Sequence, residues 1–306
     1  MKRSGRLKRF PFLAVLISSV LLAAVVLFLE RVEQPVEKRT LPKAKEPETP
    51  KQPAILLPLP PVSPEEKHEG RKIAIIIDDI GFDLRVVEEL AEMKAPIAFA
   101  VLPFTPHAAK AAERLHAAGK EILLHLPMEP HSYPKHNPGE GALFTGMTGE
   151  AIRKQVATDL AAVPYVSGVN NHMGSRFMED KSKLAIVMEE LMKRGLFFVD
   201  SRTTPRSGGR EAAAKAGVRF AARAVFIDHE KGYDNALQNL THLAQPGSGR
   251  PEPLLLIGHP RPGTVRALRE VLPAWRNGGV QVISISTYME GAASGEKLAS
   301  GRKNLK

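Results

Sequence analysis

From Lys72 onward the chain alternates short apolar runs with amphipathic stretches of helical length. The runs at 73–77, 97–102, 121–126, 165–170, 196–199, 224–227, 254–257 and 280–285 are continuous and rich in β-branched residues, which predicts strands buried on both faces. Between them the spacing predicts helices over 84–93, 106–118, 149–162, 180–194, 209–216, 232–245 and 263–275. Strand and helix repeated in this order predict a parallel sheet. Eight candidate strands in about 220 residues fit a closed (β/α) barrel or an open doubly wound sheet, and periodicity alone does not separate the two.

Upstream the pattern is different. Residues 10–29 run without a charge behind Lys2, Arg3, Arg6, Lys8 and Arg9, long enough to span a bilayer. The positive-inside rule assigns 1–9 to the cytoplasm and sends everything beyond Glu30 across the membrane. A cleaved signal peptide is the competing reading. The uninterrupted length, and the Leu29-Glu30-Arg31 sequence in place of small residues at a cleavage point, favour a signal anchor. Nine prolines between Pro35 and Pro64 make 30–70 an extended linker, leaving 71–290 as the folded domain and 291–306 as a basic tail.

Charge changes the picture only once it is placed. The 306 residues carry 43 Lys and Arg against 33 Asp and Glu, yet 71–290 hold 27 against 24, so the basic excess sits in the flanking segments and no nucleic-acid partner is expected. The absence of cysteine removes disulfides, thiolate nucleophiles and zinc-thiolate sites together.

Candidate chemistry gathers where the apolar runs end. Asp78 and Asp79 follow the first, His125 ends the third, Asn170-Asn171-His172 the fourth, Asp200 the fifth, Asp228-His229 the sixth and His259 the seventh. Parallel α/β folds build their active sites at that rim. Gly-x-Gly-x-x-Gly, Walker and Gly-x-Ser-x-Gly motifs are all absent, and an Asp/His constellation without thiols suits a hydrolytic zinc or similar divalent ion. His107, His116, His131, His136 and His242 fall in helix or loop patterns and read as surface residues.

Five segments carry a resemblance: Ile76-Ile77-Asp78-Asp79-Ile80-Gly81, Leu124-His125-Leu126-Pro127-Met128-Glu129-Pro130, Asn170-Asn171-His172-Met173-Gly174-Ser175-Arg176, Val199-Asp200-Ser201-Arg202-Thr203 and Gly258-His259-Pro260. In this order and spacing they resemble the divergent polysaccharide deacetylase family, a branch of the NodB-homology carbohydrate esterases. The resemblance implies a distorted (β/α) barrel of seven to eight parallel strands and removal of acetyl groups from an envelope glycan, a polysaccharide or peptidoglycan-like substrate. It implies Asp78 as general base, Asp79 and His125 as metal ligands, and Glu129 where ordinary deacetylases have a second histidine. His172 is the alternative ligand. Asp200 falls at the position that orients a catalytic group and His259 at that of the general acid. The Arg-Pro-x-Gly loop of those enzymes is replaced by 170–177. A non-catalytic, membrane-anchored glycan- or partner-binding protein that keeps the barrel, and a related metal hydrolase of another amide or ester, are the alternatives.

Arg176 and Arg202 each lie a few residues past a rim position and are suited to capturing an anionic substituent of the substrate. An arginine paired with a loop acid is the competing reading for each. Asn171 and Ser175, in the same segments, complete the expected substrate-binding set.

Overall fold

The computed structural model of the protein describes residues 71–245 and 253–291. The expected segments at 1–9, 10–29 and 30–70, and the tail from 292, lie outside the described residues. Among those described, no helix is long and apolar enough to cross a membrane.

Among the described residues nine strands form one parallel sheet: β1 (Lys72–Ile80), β2 (Ala98–Val101), β3 (Glu121–Met128), β4 (Val166–Met173), β5 (Phe197–Asp200), β6 (Phe220–Ala222), β7 (Val225–Phe226), β8 (Leu254–Gly258) and β9 (Gln281–Val282). The spatial order is β6-β5-β4-β3-β2-β1-β8-β7, and β9 pairs with the start of β1. Helices α1 (Leu84–Ala91), α2 (Ala108–Ala117), α3 (Gly149–Ala162), α4 (Lys181–Met192), α5 (Gly209–Ala216), α6 (Tyr233–Ala244) and α7 (Pro262–Asn277) follow the strands in the pattern of a (β/α) barrel. The eight expected strands and seven helices are all present. β6 was not expected, because Phe220-Ala221-Ala222 is too short and too small to register as an apolar run.

Side-chain alternation along each strand divides the core in two. Ile73, Ile75 and Ile77 of β1 pack with Phe99, Leu124 and Val169 into the layer beneath the helices. Ala74 and Ile76 face the barrel interior with Ala98, Ala100, Leu123, Val199 and Ile257. Small residues allow the sheet to curl tightly, and Ile283, Ile285 and Met289 fill the remaining interior space.

Asp159 of α3 is an exception to this apolar packing. It is fully buried beneath the β3–α3 loop; Gln155 donates to Oδ1 (2.7 Å), and Oδ2 has no partner. Burial pushes its pKa up to about 7, against the Gln155 hydrogen bond. The folded state therefore holds a proton that the unfolded chain has lost, so stability falls as pH rises from about 4 to 7, by at most about 1.4 kcal/mol per unit. Asp159→Asn is expected to stabilise the protein by roughly 2–4 kcal/mol at pH 8 and by little at pH 4, read from urea midpoints at both values. A gain that does not vary with pH would show that the carboxyl is not the source.

Candidate active site

Strand parity decides which rim residues meet. Asp78, His125, Asn170, His172 and His259 continue the interior-facing rows of their strands, and the structure gathers them at one mouth of the barrel. Asp79 belongs by parity to the outer row. A bulge in β1, where pairing with β2 shifts register between Ile77 and Ile80, and a left-handed backbone at φ 56° bring it back to the same mouth. The following Gly81 has φ 130°, and a Cβ there would stand 2.0 Å from the Thr105 hydroxyl, so only glycine completes this turn. Helix α1 is capped by Asp83, which accepts from the Arg85 N–H, so neither aspartate is needed as a cap.

Three ligand atoms converge. Asp79 Oδ1 lies 3.2 Å from His125 Nε2 and 3.0 Å from His172 Nδ1, and the two nitrogens are 3.1 Å apart. Atoms so spaced can all reach one ion at the usual zinc bond length of about 2.0–2.2 Å. Asp79 Oδ1 is buried and, despite these short approaches, makes no hydrogen bond of acceptable geometry. An orphaned carboxylate oxygen facing two imidazole nitrogens fits a cation. These are also the residues that stand out among those described as a group able to hold a metal.

Asn170 organises the next layer. Its Oδ1 lies 2.8 Å from His125 Nδ1 while its amide donates to Asp78 Oδ1 (2.7 Å). Since Asp78 accepts from the Asn170 amide nitrogen, the Asn170 oxygen takes the Nδ1 proton of His125. That makes Nε2 the nitrogen turned toward Asp79 and the one that would give up its proton to take a metal.

The adjacent aspartates are driven apart electrically. Burial raises the Asp78 pKa above the usual carboxylate range, although His125, His259 and Asn170 oppose it. Asp79 is also desolvated, but the imidazoles of His125 and His172 hold its pKa far below that range. His125 is pushed up to about 9, its burial outweighed chiefly by Asp78 and Asp79. One carboxyl able to exchange a proton beside one held ionised is the division that acid–base catalysis uses.

His259 faces this group, with Nε2 4.0 Å from Asp79 Oδ2. Its Nδ1 contacts Asp228 Oδ1 at 2.9 Å, and Asp228 Oδ2 accepts from the His259 N–H (2.9 Å) and the Thr264 hydroxyl (2.8 Å). Burial works against charge on His259, and the Asp228 hydrogen bond overcomes it and raises the pKa. Asp228 and Asn170 were both visible at the rim but were not among the expected site residues. Their signal was the inward parity that they share with Asp78 and His125.

Other expectations need correction. Glu129 stands outside the ligand group: Oε2 accepts from the Thr145 N–H and hydroxyl (both 2.7 Å), and Oε1 pairs with Arg176 at 3.1 Å. It braces the β3–α3 loop, and Arg176 is the loop-paired arginine. Asp200 lies on the helix-facing row of β5, where it accepts from the Arg202 N–H (2.6 Å) and Ser207 hydroxyl (2.6 Å); it fixes a turn, and among the described residues it makes no hydrogen bond or ion pair with His125, His172 or His259. Asn171, also on the outer row, accepts from the Ser201 N–H (2.9 Å) and ties β4 to that turn. Ser175 accepts from the His131 N–H (3.0 Å), another loop brace. Arg202 is exposed on the rim beside a large groove. Of the histidines read as surface residues, His116, His131, His136 and His242 are exposed and His107 is half-buried.

A model of the divergent polysaccharide deacetylase family matches residues 75–289. The uncharacterised protein YibQ of Escherichia coli (strain K12) is 34% identical over 201 residues, which are 66% of this chain and 62% of that protein, so the chain spans less than two-thirds of that relative. An uncharacterised Haemophilus influenzae protein is 33% identical over 201 residues, covering 65% of this chain and 70% of its own. The crystal structure of the uncharacterised protein ATU2773 from Agrobacterium tumefaciens C58 has the same fold, with a TM-score of 0.68 at 22% identity over 74% of this chain and 92% of that one. The family match takes in all of the rim residues that converge here, from Asp78 to His259, and the chain belongs to the divergent polysaccharide deacetylase family.

Proposed function

We propose that the protein is a metal-dependent deacetylase that removes acetyl groups from a polysaccharide or peptidoglycan-like glycan of the cell envelope. The observation that carries this reading is the convergence of Asp79, His125 and His172 between Asp78 and His259. Two imidazoles and one carboxylate suit zinc among the divalent ions. Such an ion supplies Lewis acidity, polarising an acyl carbonyl and lowering the pKa of water. Asp78, with its raised pKa, takes the proton of the attacking water, and Asn170 keeps its carboxylate aimed. His259, held protonated by Asp228, returns a proton to the leaving amine or alkoxide. Beside them a cavity of about 400 Å3, bordered by Asp79, Gly81, Phe82, Val86, His259 and Pro260, offers room for the sugar, and Phe82 is 61% exposed as an aromatic platform.

The uncharged run at 10–29 behind five basic residues supports a site that works outside the cytoplasm on a membrane tether. The full chain, purified in mild detergent and supplied with zinc, is expected to release acetate from acetylated β-1,4-linked glucosamine oligomers, to stop when a chelator is added, and to recover when zinc is restored. No acetate with zinc, cobalt or nickel, on either N- or O-acetylated glycans, would sink the reading and leave a binding protein that keeps the barrel.

A further inference from the structure

The edge strands β6 and β7 do not pair with each other. Arg223 and Ala224 cross between them, their N–H groups donating to Asp200 O (2.9 Å) and Leu255 O (2.8 Å). Over this seam lies a groove of about 1000 Å3, lined in part by Arg202, Arg223, Phe226, His229, Asn235 and Asn239. It adjoins the reacting centre: the Phe226 ring stacks on His259 with centroids 5.6 Å apart, and the Arg223 guanidinium covers Phe226 at 3.6 Å.

The groove brings together two guanidinium groups, and neither makes an ion pair among the described residues. Arg223 Nε donates to Ser201 O (2.8 Å) and Nη2 to Arg202 O (3.3 Å), which fixes the guanidinium on backbone carbonyls and leaves Nη1 free to donate. The Arg202 guanidinium has no hydrogen-bond or ion-pair partner among the described residues, while its backbone is held at φ 53° by the bond to Asp200. Burial, and then the nearby Arg202 charge, lower the Arg223 pKa against the opposing pull of Asp200 and Asp78. Glu230, also in the lining, pairs with neither arginine. Neither guanidinium is ion-paired among the described residues, so both can turn donors toward an anion in the groove. Planar forks suit a carboxylate in particular.

We propose that this groove is a subsite for a carboxylate-bearing sugar next to the one whose acyl group reacts, with Arg202 and Arg223 taking the carboxylate. The inference rests on the deacetylase reading of the adjoining site and narrows its substrate to acidic glycans. The carboxylate can belong to a uronic acid ring or to a lactyl ether. The test is calorimetric titration of the full chain with three oligomers of equal length: a neutral acetylated glucosamine oligomer, one with alternating uronic acids and one with lactyl ethers. Wild type is expected to bind one acidic oligomer about tenfold or more tighter than the neutral one, and the tighter of the two identifies the source of the carboxylate. Arg202→Gln should abolish the preference without weakening neutral binding, and Arg176→Gln, whose guanidinium is committed to Glu129, should keep it. Equal binding of all three oligomers by wild type, or a preference that survives in Arg202→Gln, overturns the proposal. Acidic preference without acetate release overturns only the hydrolase reading, whereas acetate release with equal kcat/KM and equal binding on all three overturns only this subsite.

Discussion

Asp79→Asn and His172→Ala are each expected to take the metal content of the purified chain from about one equivalent to near zero. kcat/KM on an acetylated glycan should fall by about a thousandfold or more, since metal assistance is worth several kcal/mol and each 1.36 kcal/mol is a decade in rate. Asparagine is the informative replacement at 79, because it tolerates the left-handed backbone there and changes the charge rather than the turn. Glu129→Gln is expected to keep the metal, since both Glu129 oxygens are committed to Thr145 and Arg176. Any loss of activity in that variant should come from a loosened β3–α3 loop and appear as a lower melting temperature. Elemental mass spectrometry beside the rate measurement separates these cases. Metal lost with Glu129→Gln but kept with His172→Ala would show that the ligand set is wrong.

The sheet was legible because its strands are buried on both faces, and continuous apolar runs such as Ile73-Ala74-Ile75-Ile76-Ile77 have few alternatives. Barrel against open sheet was not legible from period. That choice depends on interior volume, set here by alanines at 74, 98 and 100 whose inward direction is known only once the register is known. At the rim the residues were visible but their roles were not. Carrying the inner and outer rows of each strand one step past its apolar run separates Asn170 from Asn171, removes Asp200 and brings in Asp228. The resemblance follows motif positions instead, and so implies a catalytic partner at Asp200. Asp79 defeats the parity rule as well, because a one-residue bulge in β1 reverses its direction and a local pattern cannot show a bulge defined by its partner strand. Glu129 lies past the end of β3, where Leu143 pairs with Met128, so its direction depends on a loop that returns from fourteen residues away.

Asp228→Asn is expected to lower kcat by about a hundredfold to a thousandfold, within the range of general acid–base catalysis, with KM little changed. Asp228 approaches no ligand group of Asp79, His125 or His172 in the contacts described, so metal content should be retained. Its effect acts through His259. The carboxylate Oδ1 faces Nδ1 at 2.9 Å and raises the histidine pKa against the pull of burial, which keeps the imidazole charged and able to give its Nε2 proton. An asparagine can still accept from the His259 N–H and from Thr264 with its oxygen, but then turns its amide nitrogen toward Nδ1. That favours a neutral ring, and burial is left unopposed. Because the raised pKa falls, the alkaline limb of the kcat profile, where the acid form is lost, should move to lower pH. A merely structural role for Asp228 would lower the melting temperature and the rate together but leave the limb in place. An unshifted limb with full metal content would therefore remove Asp228 from the proton path and leave His259 to act without it.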